Sequence, residues 1–199
     1  MKIDTEHLHF WMQAIRQSPD PLRTMDAFWS GQLKSKEWLI NNLREFVENP
    51  ANNTVDILGG WVGVLASMLF QSGIPITKIQ SVDVDSSCEP IATMMNKKEE
   101  IEGRFAAVTS DMCSFTSSAD IVINTSCEHI TQAQYDLWVD SLPKRSIIVV
   151  QSNNYCIPEH IRIANSIEHF KEQSNLTIKW SGELELPLYN RYMIIGHKK

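Results

Sequence analysis

The chain has 199 residues, a hydrophobic fraction of 43%, a charged fraction of 21% and a formal net charge of -6. These totals describe one ordinary soluble domain, with at most a small appendage, long enough to bury a core. There is no apolar run long enough to span a bilayer and no basic, apolar leader, so a cytoplasmic protein without a membrane partner is expected. The negative balance and the absence of any Lys/Arg block disfavour a nucleic-acid partner.

The first fifty residues read as helices: a Trp/Phe-rich piece around Phe10 to Gln17, a Ser-Pro-Asp-Pro turn, and a helix that Ser35 could cap. Leu39, Leu43, Phe46 and Val47 share one face of that helix, and Asn49-Pro50 stops it. Residues 1–50 are thus expected to form a helical cap, with Trp11, Trp29 and Trp38 as the glue to a main domain over residues 51–199. His7 and His9 read as surface residues. Val55 to Leu58 is a short strand, and Leu65, Met68 and Leu69 make a helical face that ends at Gly73. A second strand over Ile79 to Val82 leads to Ser86-Ser87 as a cap, Pro90 in a first turn, and a buried face of Ile91, Met94 and Met95.

Phe105 to Val108 is a third strand and Ala119 to Ile123 a fourth, joined by a connection too short for much helix. Thr131 and Gln134 have capping-box spacing and open a helix that buries Tyr135, Trp138, Val139 and Leu142. Ser146 to Val150 is an apolar fifth strand, and Pro158 starts a helix with Ile163, Ile167 and Phe170 inward. Two long strands, near Thr177 to Leu186 and Arg191 to Gly196, close the chain around Pro187-Leu188-Tyr189-Asn190. Apolar strands alternating with amphipathic helices imply a doubly wound, mostly parallel, seven-stranded α/β sheet, and the short final turn makes the last two strands an antiparallel hairpin.

From Val55 to the C-terminus this order resembles the Rossmann-like, class I S-adenosylmethionine-dependent methyltransferases. The run Asp56-Ile57-Leu58-Gly59-Gly60-Trp61-Val62-Gly63 is similar to that family's glycine-rich loop. Gly59 and Gly63 match the outer glycines, while Trp61 stands where the middle glycine is usual. The resemblance implies that Gly59, Gly60, Trp61 and Gly63 surround the methionine portion of S-adenosyl-L-methionine, the glycines leaving space where a Cβ would intrude. Trp61 either lines the pocket or packs under the N-terminal helices. Ser81-Val82-Asp83-Val84-Asp85 looks like the family's second motif, which implies that Asp83 receives the two ribose hydroxyls; Asp85 reads as a solvated or capping acid. Asp111 and Met112, after the third strand, are implied at the adenine, with simple turn chemistry as the other reading.

The fourth strand opens into Asn124-Thr125-Ser126-Cys127-Glu128-His129-Ile130, at the edge where open α/β sheets bind ligands. By resemblance Asn124 lies on the cofactor, His129 takes a proton from the acceptor, and Glu128 orients an amine or hydroxyl. Alternatively both merely cap the next helix. The same E-H-I triplet recurs at Glu159-His160-Ile161, and His160 reads as structural. Cys127 is not expected to act as a nucleophile, and no metal is expected on the consecutive Cys127, Glu128 and His129. Asn153 and Tyr155, beyond the fifth strand, are placed to hydrogen-bond a small-molecule acceptor.

The function implied is methyl transfer to an oxygen or nitrogen of a small or moderately sized acceptor. Two alternatives remain open. Asp83 lies twenty positions past Gly63, as in a nicotinamide-dependent dehydrogenase, although Gly59, Gly60 and Gly63 do not form G-x-G-x-x-G. A catalytically silent binding protein of the same fold is suggested by Trp61.

Overall fold

The computed structural model describes residues 4–47 and 53–199. The expected helix stop at Asn49-Pro50, and with it the boundary between cap and main domain, falls outside those residues. Seven strands form one sheet in the order β3-β2-β1-β4-β5-β7-β6. They are β1 Asn53–Leu58, β2 Ile76–Asp83, β3 Phe105–Thr109, β4 Ile121–Asn124, β5 Ile147–Asn153, β6 Leu176–Glu185 and β7 Asn190–Lys198. The first five pair in parallel, and β7 runs antiparallel between β5 and β6. The expected hairpin is present, and its insertion beside β5 departs from an all-parallel dinucleotide sheet.

Side chains alternate across the sheet with period two, and both faces are apolar. Ile57, Ile121, Ile123, Val149, Met193 and Ile195 enter one hydrophobic cluster, whereas Leu58, Val122, Ile148, Val150, Tyr192 and Ile194 enter the other. The first face is covered by helices α1 Thr5–Gln17, α3 Ser30–Leu43, α4 Val64–Phe70 and α5 Cys88–Met95, with the short α2 Pro21–Asp26 and α6 Lys97–Ile101 beside them. The second is covered by α7 Gln132–Ser141 and α8 Ile167–Ser174. The capping box of α7 is complete: the Thr131 hydroxyl accepts from the Gln134 N–H, and the Gln134 side chain accepts from the Thr131 N–H.

The N-terminal helices share a core with the sheet. Trp11 Nε1 donates to Ser67 Oγ at 2.9 Å in a buried contact, and Trp38 meets Trp180 of β6 edge-on at 5.8 Å. His7, expected at the surface, is buried instead: Nε2 lies 2.8 Å from Glu99 Oε1 and Nδ1 lies 3.1 Å from Asp4 Oδ2. Long-range pairing with α6 decides its burial.

Three boundaries differ from the sequence reading for identifiable reasons. Helix α3 begins at Ser30, with the Trp29 ring folded over Gly31, so Ser35 is buried inside the helix and donates to Gln151 Oε1 at 3.2 Å. Strand β5 runs on to Asn153 because β7 pairs with it as far as Arg191. No helix starts at Pro158: the Ile161 and Arg162 N–H groups both donate to the Glu128 carbonyl, bending residues 154–166 across the sheet edge. Arg162 anchors that bend, with its guanidinium 3.9 Å from the Tyr135 ring centre and bonded to the Gln173 carbonyl at 2.9 Å. Helix α8 then begins after Ser166, whose hydroxyl accepts from the His169 N–H.

The buried Trp11 contact gives a direct test of how the N-terminal helices are held. Trp11→Phe keeps most of the ring and removes the donor to Ser67, so it should lower stability by about 1 kcal/mol in chemical denaturation; an unchanged midpoint would contradict that anchoring.

Candidate functional site

The carboxyl ends of β1 to β5 and the start of β7 lie on one edge of the sheet, and β1 is the switch point, with β2 on one side and β4 on the other. Ligands of open α/β sheets bind at such a point. A cleft of about 780 Å³ opens there. One end is lined by Asp83, Asp85, Ser110, Asp111 and Met112, and the other by Glu128, His129, Asn153, Tyr155, His160 and Arg191. Gly59, Gly60 and Trp61 lie on its wall, and Trp29, Gln32 and Lys36 line it from the N-terminal helices.

The loop after β1 turns through left-handed backbone at Gly59 (φ 68°), Trp61 (φ 48°) and Gly63 (φ 79°). The space a Cβ would need is filled by the chain itself. At Gly59 it would lie 2.2 Å from Ser126 Oγ, at Gly60 2.0 Å from Ser81 Oγ, and at Gly63 2.7 Å from Asn96 Nδ2. These glycines therefore let the loop seat on the turn after β4, on β2 and on the end of α5; the clearance expected for a ligand is taken up by the protein. Trp61 both packs on the first core cluster and lines the cleft. Its positive φ costs about 1–2 kcal/mol, and the Trp61 N–H donates to Asp83 Oδ2 at 2.8 Å, a charge-assisted bond that offsets the strain.

Asp83 Oδ1 accepts from the Asp85 N–H at 3.0 Å. One bond on each oxygen leaves acceptor capacity on both, so a half-buried carboxylate on the cleft wall can still receive two hydroxyls. Asp85 turns away from this task. Its Oδ1 takes the Ser87 hydroxyl and N–H, its Oδ2 lies 2.7 Å from Arg23 Nη2, and these contacts, the Ser87 bonds foremost, hold its pKa down at about 2. Asp111 is exposed on the cleft wall with Oδ1 on the Cys113 N–H at 2.8 Å. Asn124 does not reach the cleft: it is fully buried, its Nδ2 on Met112 Sδ and its Oδ1 on the Ser126 N–H, because the strand end needs it to start the turn.

At the other end, the single 3-10 turn Cys127–His129 carries Glu128, which is buried and held by Arg191 Nη1 at 3.0 Å and Asn153 Nδ2 at 2.6 Å on Oε1. Oε2 is buried without a partner among the described residues. Asn153 thus braces Glu128, its Oδ1 receiving the Tyr155 N–H, so its amide is committed within the protein in place of the acceptor contact expected. Tyr155 lines the cleft and is exposed. His129 Nδ1 lies 3.1 Å from the Glu159 carbonyl, and its ring meets that of His160 edge-on at 4.8 Å. The two E-H-I triplets therefore face one another, and His160 belongs to the cleft wall. Cys127 stays inert, because complete burial pushes its thiol up to about 12.

Two cations at the Glu128 end of the wall escaped the sequence reading. Arg191 opens β7, bonds Glu128, and donates Nη2 to the Thr125 carbonyl at 2.7 Å; a lone charge ahead of Tyr192-Met193-Ile194-Ile195 is the only local hint. Lys36, half-buried on α3 with Nζ on Gln32 Oε1 at 2.8 Å, has its pKa lowered to about 7 by desolvation and by the Arg191 charge.

No family profile matches the chain, and no curated protein sequence does. Solved structures match throughout. Magnesium protoporphyrin IX methyltransferase from Synechocystis PCC 6803 with bound SAH superposes with a TM-score of 0.64 at 11% identity, over 96% of this chain and 94% of that one. The fold is that of the class I methyltransferases. Mitomycin 7-O-methyltransferase MmcR matches with a TM-score of 0.65 at 13% identity over 94% of this chain and 60% of its own. The pyocyanin biosynthetic protein PhzM matches with 0.65 at 14% over 95% and 62%.

The Lys36 environment has a stability signature. A lysine whose folded pKa is about 7 against 10.5 is disfavoured as a cation in the fold, a cost that is full below the folded value, where it stays charged, and vanishes above the unfolded one. Lys36→Met should therefore raise the melting temperature most at and below about pH 7, with the gain shrinking as the pH approaches about 10. A gain independent of pH in thermal denaturation would contradict this environment.

Proposed function

We propose that the protein is an S-adenosylmethionine-dependent methyltransferase acting on an oxygen or nitrogen of a small or moderately sized acceptor. The observation that carries the reading is Asp83: a carboxylate at the end of β2, fixed by the Trp61 and Asp85 N–H groups, with acceptor capacity left on both oxygens and a cleft of about 780 Å³ before it. A ribose diol matches that pair of acceptors. When bound, S-adenosylmethionine supplies an electrophilic methyl group on a sulfonium.

The protein's part is placement. Asp83 holds the sugar end, Asp111 and Met112 flank the base, and the turn at Gly59 to Gly63 sets the length of the cleft between this end and Glu128. Glu128 and His129, at the opposite end, activate the acceptor; Asn153 and Arg191 fix Glu128 Oε1 so that Oε2 alone faces demand from a ligand. Cys127 forms no adduct, since its thiol stays protonated at neutral pH. The methyltransferases that share the fold are named for chemically unrelated small molecules, among them a magnesium porphyrin and a mitomycin, so the fold by itself does not select the acceptor.

Calorimetric titration with S-adenosylhomocysteine tests the assignment. Asp83→Ala removes two charge-assisted bonds to the diol and should weaken binding by about 3 kcal/mol, or ~100-fold, while circular dichroism stays native. Equal affinities in the two proteins would contradict the role of Asp83.

A further inference from the structure

Glu128, His129 and His160 each bring one potential ligand atom to the same place, all within 4.8 Å of one another. Two further observations give that cluster a direction. His129 Nδ1 lies 3.1 Å from the Glu159 carbonyl and His160 Nδ1 lies 2.7 Å from the Tyr155 carbonyl. A carbonyl only accepts, so in both rings Nδ1 carries the proton and Nε2 keeps the lone pair. Backbone carbonyls commonly accept from the far nitrogen of a metal-bound histidine, fixing its tautomer and ring orientation. The third observation is Glu128: its Oε1 is saturated by Arg191 and Asn153, while Oε2 is buried and has no partner among the described residues. A buried carboxylate oxygen left bare costs free energy that a cation would recover.

We propose that Glu128, His129 and His160 form a site for a divalent transition-metal cation at the acceptor end of the cleft. Two imidazoles and one carboxylate suit Mn2+, Fe2+ or Zn2+ better than Mg2+ or Ca2+, which prefer all-oxygen sites. Ligand distances near 2.1 Å place neighbouring donors about 3.0–3.4 Å apart, so donors now within 4.8 Å of one another must draw together when the cation binds. Three protein ligands leave open positions. The cation would hold an acceptor hydroxyl there and make it more acidic, with the proton passing to water. Binding of the cation stands on its own residues; its use in activating an acceptor rests on the methyltransferase reading. Arg191 and Lys36 are the opposing charges nearby, and Arg191 is already neutralised by Glu128.

The two E-H-I triplets thereby acquire one explanation. The sequence places their histidines 31 positions apart, at His129 and His160. The bend of residues 154–166 onto the Glu128 carbonyl is what joins them.

Mn2+ is the better probe because the exposed Cys156 and part-exposed Cys113 attract Zn2+. Protein stripped with a chelator is titrated with Mn2+, and the free ion is followed by electron paramagnetic resonance. We expect saturable binding of one ion, weakened at least ~10-fold in His129→Ala and in His160→Ala and unchanged in His9→Ala, with Zn2+ displacing Mn2+. The exposed position of His129 keeps that variant folded, and melting at the wild-type temperature certifies it. Absence of saturable binding, or equal binding by the two histidine variants and the wild type, would overturn the site. S-adenosylhomocysteine is titrated into the same samples: if it fails to bind wild type, the methyl-donor reading falls while a positive Mn2+ result stands, and if it binds without Mn2+ binding the reverse holds.

Discussion

Taking the Glu128 carboxylate out of water would cost several kcal/mol if it stood alone, and the fold surrounds it with partners from distant parts of the chain. Arg191 comes from the start of β7, Asn153 from the end of β5, and the Ile161 and Arg162 N–H groups secure the same residue through its backbone carbonyl from the bend that follows. Cutting any one of these loosens more than a contact. Arg191 also ties the turn after β4 through the Thr125 carbonyl and β5 through Gln151, so the ion pair fixes how β4, β5 and β7 meet at the open edge. A buried ion pair of this kind contributes little net stability compared with an apolar substitute, whereas removing one partner alone is costly.

At the opposite end Asp83 does a similar job with backbone groups. It compensates the left-handed turn at Trp61 and fixes the residue that follows Val84, so the loop after β1 and the loop after β2 are held by one side chain. Its oxygens are used once each, which holds the loops in place and leaves the group able to accept again. The cleft therefore has two fixed ends, each organised by a carboxylate that retains unused acceptor capacity. Arg23, paired with Asp85 at 2.7 Å, links α2 to the Asp83 end, and Ser35 and Lys36 bring α3 to the Glu128 end.

The order of elements was legible because its signals are local. Apolar runs at the strands, the Thr131 and Gln134 box and the hairpin turn all act within a few residues, and the structure keeps them. The position of Asp83 and Glu128 on the cleft was legible because a strand's carboxyl end can be read from the strand. What could not be read depends on contacts between distant segments. The helix expected from Pro158 is absent because Glu128, some thirty residues earlier, captures the N–H groups it would need. His7 is buried because Glu99 waits for it. Lys36 and Arg191 carry no motif, and Asn124 looks like a site residue until its amide is seen to be spent on Met112 and Ser126. The glycines were placed correctly and explained differently, since Ser126, Ser81 and Asn96 occupy the space their missing side chains leave.

A crystal structure of the protein with S-adenosylhomocysteine tests the role of Asp83 most directly. Both ribose hydroxyls should lie within hydrogen-bond distance of the Asp83 carboxylate, with the sulfur turned toward Glu128 and His129. A ligand bound elsewhere, or a cleft closed by the Trp61 indole with Asp83 left on its two backbone partners alone, would contradict it.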